Sequence, residues 1–442
     1  MQPYPENKGI FDEQRLGKTP TVITYLKTTN QNAIIVTPKS LLYQWKTEYE
    51  EWYNQNIIVI DGPKENRIKL YKLVNKNTSM LISYNTIRED EDYIEKLTKY
   101  FNVIVIDEAH RIRNLKKSRK QKPKEVVSLI NISKKIKRRI ALSGTPTSNQ
   151  ADDIYGILYF LYPDIFSSYY NFKEYYFLNY DIRTSKETIR KCSGKFQVGK
   201  ERELLEFLDL ISIQRKRKDV MQWLPKYDIH KILLEPSNIQ KEANYNLDNF
   251  YEYKDIICMN NLEVLLKQKQ FAISPMILGI DDLGAKFNYI ENYLEDYPDK
   301  HIIIVSTLVE PLKILHKRLT KSNKLLIGNT VAQDRDKIKL EFQSNKLDII
   351  LANITVVKEG FTLDTADTII FLDSSYIYTD NIQCMDRLVP VSIDRVHNST
   401  QEIILLLNKG SVDEYIYDMV YVKKASSTDI INNYKKYIKE RK

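Results

Sequence analysis

Two adjacent carboxylates at the end of an apolar run, Asp107-Glu108, and the triplet Gly17-Lys18-Thr19 upstream of them are the residues whose types and spacing can do chemistry together. Val103-Ile104-Val105-Ile106 has the unbroken β-branched character of a parallel strand covered on both faces, and the carboxyl edge of such a sheet is where ligands bind. One carboxylate there can hold a magnesium ion, directly or through its water, while the next orients an attacking water. That is the division of labour of a nucleoside triphosphatase; an acidic strand end without chemistry gives the same residues. The triplet supplies the phosphate-binding half. Across Gly9 to Thr19 the pattern reads as a short strand, a loop and a helix from about Pro20. In such a loop, backbone N–H groups and the helix N-terminus cradle phosphate oxygens. Lys18 reaches the β- and γ-phosphates, and the Thr19 hydroxyl joins Asp107 on magnesium. The general pattern asks for glycine at position 12, where this chain has Asp12.

The elements that must position these groups are legible as alternating strands and helices. Asn32 to Val36, Ile57 to Ile60, Met80 to Ser83 and Arg139 to Leu142 read as further short strands, which with intervening helices argue for a parallel sheet covered on both faces. Ser40 is placed to cap the helix that runs through Leu41, Leu42, Trp45 and Tyr49. After the acidic strand comes a basic stretch with Lys116, Lys117, Arg119, Lys120, Lys122 and Lys124, either a solvated loop or a phosphate-contacting one. Asn149 to about Leu224 is helical and aromatic in pattern, its rings reading as core more than as base stackers. Strands return near His230 to Leu234, Ile302 to Val305, Lys324 to Ile327, Ile349 to Leu351 and Ile369 to Leu372.

At 442 residues the chain is too long for one ordinary core, and ~150 residues per domain gives two to four units. A formal net charge of +9 favours a polyanionic partner, as a nucleic acid would be. Cys192, Cys258 and Cys384 are scattered singly and the five histidines have no metal-ligand spacing, so neither a disulfide framework nor a zinc site is offered. No run approaches the ~18 apolar residues of a membrane span, and Met1 to Lys8 lacks a secretory h-region. The expected location is the cytoplasm, or the host cytoplasm for a viral chain, with no membrane partner.

Four motifs in order, Asp12-Glu13-x-x-Leu16-Gly17-Lys18-Thr19, Pro38-Lys39-Ser40-Leu41-Leu42-x-x-Trp45, Asp107-Glu108-Ala109-His110-Arg111-x-x-Asn114 and Leu142-Ser143-Gly144-Thr145-Pro146, resemble the first motor lobe of Snf2-type superfamily 2 ATPases. In that family an Asp stands where the general loop has its first glycine. Gln214-Arg215-Lys216-Arg217-Lys218-Asp219-Val220 with Leu224-Pro225-Lys226 resembles the segment by which such motors pass to their second lobe. Lys358-Glu359-Gly360-Phe361-Thr362-Leu363 and Gln383-x-x-Asp386-Arg387 resemble second-lobe motifs, so the likeness covers nearly the whole chain.

The resemblance implies an α/β fold of two RecA-like parallel-sheet lobes with helical insertions. The expected domains are a first ATP-binding lobe over 1–148, a helical protrusion over 149–224, and a second lobe over 225–442 with a helical insertion at about 238–280 and a C-terminal helical tail. It implies ATP and Mg2+ bound between the lobes, with Leu16, Gly17, Lys18, Thr19, Glu359 and Gly360 on the nucleotide, Asp107 and Thr19 on the metal, and Glu108, Asp107 and Arg387 catalytic; Arg395 is a further catalytic candidate from its local sequence pattern, not from the resemblance. Ser143, Gly144, Thr145 and Gln383 would couple the site to movement, and Lys39 and Ser40 would touch the phosphates of double-stranded DNA, held without reading its sequence. The implied function is an ATP-dependent translocase on duplex DNA. The alternatives are a strand-separating helicase, the motor of a restriction system, or a nucleotide-gated DNA-binding protein that has lost turnover.

Departures from the family pattern are specific. The family usually carries a segment upstream of the loop, including a Gln that reads the adenine edge, whereas here only Met1 to Lys8 precede Gly9, and Arg15 and Lys358 each replace a usual glycine. Three residues after Arg387, where the family has a second arginine, stands Pro390. Asp394-Arg395-Val396-His397 repeats the flavour of Asp386-Arg387-Leu388-Val389, and this is why Arg395 is a candidate for the missing position.

Overall fold

Short β-branched runs buried at every position set the architecture, because a strand covered by helices on both faces can carry no polar alternation. The computed structural model describes residues 7–116, 122–144, 146, 151–183, 188–220, 227–358, 363–388 and 401–423, and the chain forms two compact units, Met1–Gln222 and Trp223–Lys442.

In the first unit β1 (Lys8–Ile10), β2 (Ala33–Thr37), β3 (Ile58–Ile60), β4 (Met80–Ser83), β5 (Val103–Ile106) and β6 (Arg138–Leu142) pair in parallel. Successive residues face opposite sides. Ile34, Val36, Ile104 and Ile106 enter one core, whereas Ala33, Ile35, Val103 and Val105 enter the other, against Trp45, Tyr49 and helix α1 (Lys18–Thr29). Residues 149–224 are not all helical. Between the helices Tyr169–Tyr176 and Lys200–Ile211 the chain makes an antiparallel ribbon of β7 (Phe177–Arg183) and β8 (Thr188–Phe196). Aromatic and β-branched residues favour strands, and Phe177 pairs across the ribbon with Phe196, ring centroids 4.6 Å apart. Many of the aromatic residues here are core, including Tyr155, Phe160, Phe172 and Tyr176, while Tyr170, Tyr175 and Tyr180 are exposed. The two-residue β9 (Ser212–Ile213) then returns to the sheet beside β1, giving the order β3-β4-β2-β5-β6-β1-β9.

The second unit has β10 (Asp228–Leu234), a small ribbon of β11 (Glu252–Tyr253) and β12 (Ile256–Ile257), and then β13 (Ile302–Ser306), β14 (Asn323–Leu326), β15 (Ile349–Asn353), β16 (Thr368–Phe371) and β17 (Glu402–Asn408). Its parallel sheet has the order β10-β17-β16-β13-β15-β14. The helices Asn238–Phe250 and Asn261–Ile273 flank the small ribbon and pack on the helix Val412–Tyr417.

Two buried lysines tie the carboxyl edge of this sheet together. Lys269 Nζ lies 2.8 Å from Asp373 and donates to Ser374 O, and Asp373 also accepts from Ser306 and the Thr307 amide. Lys286 Nζ lies 2.8 Å from Asp413 and donates to Leu372 O. Burial alone would raise the Asp373 carboxyl, but Lys269 and the hydroxyls of Ser306 and Thr307 outweigh it and hold it below its ordinary value. A depressed carboxyl contributes stability above the unfolded pKa of about 4 and loses it as pH falls through the folded value. Removing the lysine leaves a buried charge uncompensated, so Lys269→Ala should cost about 3–5 kcal/mol at neutral pH. Protonation of Asp373 relieves that penalty. Denaturant unfolding at neutral pH and again near pH ~4 should therefore show the gap to wild type narrowing with acid; a gap that stays constant would contradict the pairing.

Candidate nucleotide-binding site

Two left-handed residues shape the loop between β1 and α1: Arg15 at φ 67° and Gly17 at φ 76°. A side chain in that region costs about 1–2 kcal/mol, so Arg15 adopts at some expense the backbone that glycine takes freely. Lys358, the other residue standing for a glycine, has φ −60° and carries no such strain. Helix α1 begins at Lys18 rather than near Pro20, with Gly17 as its N-cap, no side-chain cap and no acidic residue in its first turn. The positive end of its dipole thus meets no counter-charge from the helix's own first turn. Lys18 Nζ donates to the carbonyls of Asp12 at 2.9 Å and Glu13 at 3.2 Å. Thr19 follows it, partly buried, and Leu16 is buried beneath the loop.

Asp107 ends β5 and is held from several sides. Trp45 Nε1 donates to its Oδ2 at 2.8 Å and the Thr37 hydroxyl to the same oxygen at 3.2 Å, while the Glu108 amide donates to Oδ1 at 2.8 Å. The Tyr84 hydroxyl donates to its carbonyl at 2.6 Å, and Arg111 lies over the Tyr84 ring. Burial first, then the Glu108 charge, pushes the Asp107 carboxyl up to about 6, against the pull of Trp45, the Glu108 amide and Lys18. The pull of Lys18 puts the loop and the acidic strand end within electrostatic reach of each other. Glu108 takes a left-handed backbone, φ 51°, which swings its side chain off the strand direction. It is partly exposed, with His110 Nδ1 3.2 Å from Oε2. Asp107 and Thr19 are hard oxygen donors of the kind magnesium takes, a carboxylate and a hydroxyl that leave the other positions to phosphate and water.

At the end of β6 the Ser143 amide donates to Ile10 O at 3.1 Å. A Cβ on Gly144 would lie 3.3 Å from Gln14 Cγ and 3.7 Å from Lys18 Nζ, so the turn after β6 lies against the loop. Thr145 lies outside the described residues. Lys39 is exposed and pairs with Asp61 at 3.3 Å. Ser40 is exposed too, but it does not cap a helix: a short 3-10 turn, Lys39–Leu41, intervenes, and α2 (Leu42–Tyr53) has Leu41 as N-cap with no side-chain bond.

In the second unit Gln383 is buried in the helix Tyr378–Met385. Arg387 follows that helix, its guanidinium donating to Lys358 O and its own carbonyl accepting from the Leu363 amide at 3.2 Å. Lys358 Nζ pairs with Asp380 of the same helix at 2.8 Å. Glu359, Gly360, Pro390 and Arg395 lie outside the described residues, as do Lys117, Arg119 and Lys120 of the basic stretch, Leu224-Pro225-Lys226, and the tail after Lys423. Sequence reasoning placed Trp45 on a helix and in a family motif without giving it a role, and gave Thr37 and Tyr84 none. A buried indole N–H needs an acceptor, and that requirement was the available signal for Trp45.

Comparison with known proteins finds matches over both units. A family described as helicase conserved C-terminal domain matches residues 285–389. An uncharacterised ATP-dependent helicase of Mycoplasma genitalium is 24% identical over 429 residues, covering 92% of this chain and 38% of the relative. The DNA repair and recombination protein RAD54B of Gallus gallus is 24% identical, covering 96% of this chain and 51% of its own. The chain thus spans about two fifths to one half of these relatives' length. Among solved structures, the Sulfolobus solfataricus SWI2/SNF2 ATPase core in complex with dsDNA is similar at TM-score 0.41 and 22% identity, covering 98% of this chain and 90% of that one. Among the described residues no helix is long and apolar enough to cross a membrane. The SNF2-related domain matches residues 5–281, well over half of the 442, and the chain belongs to that family.

Proposed function

We propose that this protein is an ATP-dependent DNA translocase, coupling hydrolysis of ATP to movement along double-stranded DNA. The observation that carries the reading is the grouping of Lys18, Asp107, Glu108 and the Ser143-Gly144 turn at the carboxyl ends of β1, β5 and β6 in an SNF2-related chain. Bound Mg-ATP supplies the reacting phosphoryl group and the charge that the metal neutralises. Lys18, exchanging two carbonyls for phosphate oxygens, contributes a fixed positive charge, and the N–H groups at the start of α1 orient the phosphates. Asp107, with Trp45 and Thr37 donating to Oδ2, and Thr19 would face the metal. Glu108 would accept hydrogen bonds from the attacking water and hold it in line. Ser143 and Gly144, against the loop, are placed to respond to what it carries. Lys39 and Ser40, exposed on the first unit, would meet DNA phosphates, while the second-lobe residues Gln383 and Arg387, with Glu359, Gly360 and Arg395, complete the proposed set.

The test is ATP hydrolysis without DNA, with duplex and with single strands. Duplex should stimulate more than single strands, and the affinity for duplex should fall linearly in log–log with salt, by about 0.9 per phosphate neutralised. Stimulation by single strands alone would favour a strand-separating helicase, and nucleotide binding with no turnover under any condition would favour a nucleotide-gated binder.

A further inference from the structure

The chain that leaves the first unit is bonded to the same loop that holds Lys18. Phe11 N donates to Ile213 O at 2.8 Å and Glu13 N to Arg215 O at 3.1 Å, extending the β1 pairing of β9 into the loop. In return the Arg215 amide donates to Asp12 Oδ1 at 2.8 Å, its Nε to Oδ2 at 3.1 Å, and its Nη2 to the same oxygen. The Arg217 amide donates to Glu13 Oε2 at 2.8 Å. The Asp12 side chain is fully buried, so its carboxylate has exchanged water for Arg215, a residue 203 positions away in the chain. Asp12 and Glu13 are therefore each bonded twice over: their carbonyls hold Lys18, and their carboxylates hold the segment that leads on to β10 and the second unit.

We propose that Arg215 is a positioning residue that links the phosphate-binding loop to the chain running into the second unit, so that a change in the partners of Lys18 is transmitted along residues 212–217. The link rests on the nucleotide reading above. When phosphate takes Lys18 from the two carbonyls, the peptide groups of Asp12 and Glu13 are released to turn, and their side chains carry Arg215 and Arg217 with them. The guanidinium fork is what makes the connection stiff. A lysine in its place keeps the charge but cannot bond in two fixed directions.

The experiment uses the full chain and the variants Arg215→Lys and Arg215→Ala, with a non-hydrolysable ATP analogue as probe. In the wild type the analogue should change amide exchange across residues 212–217 by about tenfold, within the 5- to 150-fold range of coupled sites. Arg215→Lys should bind the analogue yet lose that response, and its ratio of duplex-stimulated to DNA-free hydrolysis should drop about tenfold. A wild type whose exchange at 212–217 ignores bound analogue overturns the link, as does an Arg215→Lys variant that keeps both the response and the stimulation ratio. A purely structural role predicts instead a lower Tm and both hydrolysis rates reduced in proportion, which also overturns it. Should duplex fail to stimulate the wild type, the DNA reading falls, and the exchange measurement, which needs no DNA, still decides this one.

Discussion

Glu108→Gln should bind nucleotide as the wild type does and hydrolyse it about 10²- to 10⁴-fold more slowly, the usual worth of a positioned acid–base group. The substitution keeps the shape and the left-handed backbone at φ 51° can hold either residue, so the loop and Asp107 need not move. What it removes is the negative charge proposed to orient water, and with it the contact with His110. It also removes the charge that helps to raise the Asp107 carboxyl. Asp107 should then ionise more readily, so any binding through that carboxylate is preserved or improved. Fluorescence titration with a labelled ATP analogue and steady-state hydrolysis on duplex DNA separate the two effects. A kcat within a few-fold of wild type would take Glu108 out of the reaction, and a matching loss of nucleotide affinity would make it a binding residue instead.

The parts of the fold that were legible are those where burial dictates composition. β2, β4 and β5 are buried at every position, and in an alternating strand–helix pattern a short uninterrupted apolar run is too brief for a helix and fits a strand covered on both faces. The two parallel-sheet lobes expected from such runs are present. β9 was not legible: two residues, Ser212 and Ile213, make no run, and what holds them is the neighbouring β1 and the Phe11 amide, which donates to Ile213 O, both remote in sequence. The β7–β8 ribbon was hidden in an aromatic stretch whose residues suit either period. At the site, Lys18, Asp107 and Glu108 stand out in the sequence because their chemistry is unusual in a strand-loop setting. Trp45 does not, because its bond to Asp107 joins residues 62 positions apart and the indole otherwise reads as core. Ser40 misled for a local reason: a serine before an apolar helix is a good cap, but the 3-10 turn moved the helix start past it.

An arginine that touches the γ-phosphoryl oxygens is worth about 10³ to 10⁵ in rate in related phosphoryl transfers, and an active motor needs one. Proline at position 390 cannot supply it. The Arg387 guanidinium donates to Lys358 O, so Arg387→Ala removes both a charge and that bond, while the backbone bond from the Leu363 amide remains. Arg387→Lys is the sharper variant, since it retains charge and loses the fork. Arg395 is proposed to take the place left by Pro390, on the repeated Asp-Arg pattern and a longer stretch before β17. Arg395→Ala should therefore lower kcat on duplex DNA by about 10³ or more while the affinity for DNA and for nucleotide changes little, because the contact belongs to the transition state. The Arg387 variants should lower kcat as well. A double variant then reports whether the two act on one event: if they do, the loss in Arg387→Ala with Arg395→Ala falls well short of the product of the single losses. Near-normal kcat in Arg395→Ala would leave Arg387 to carry the charge alone, and near-normal kcat in both would point to a motor that finds its arginine elsewhere or does not turn over by this route.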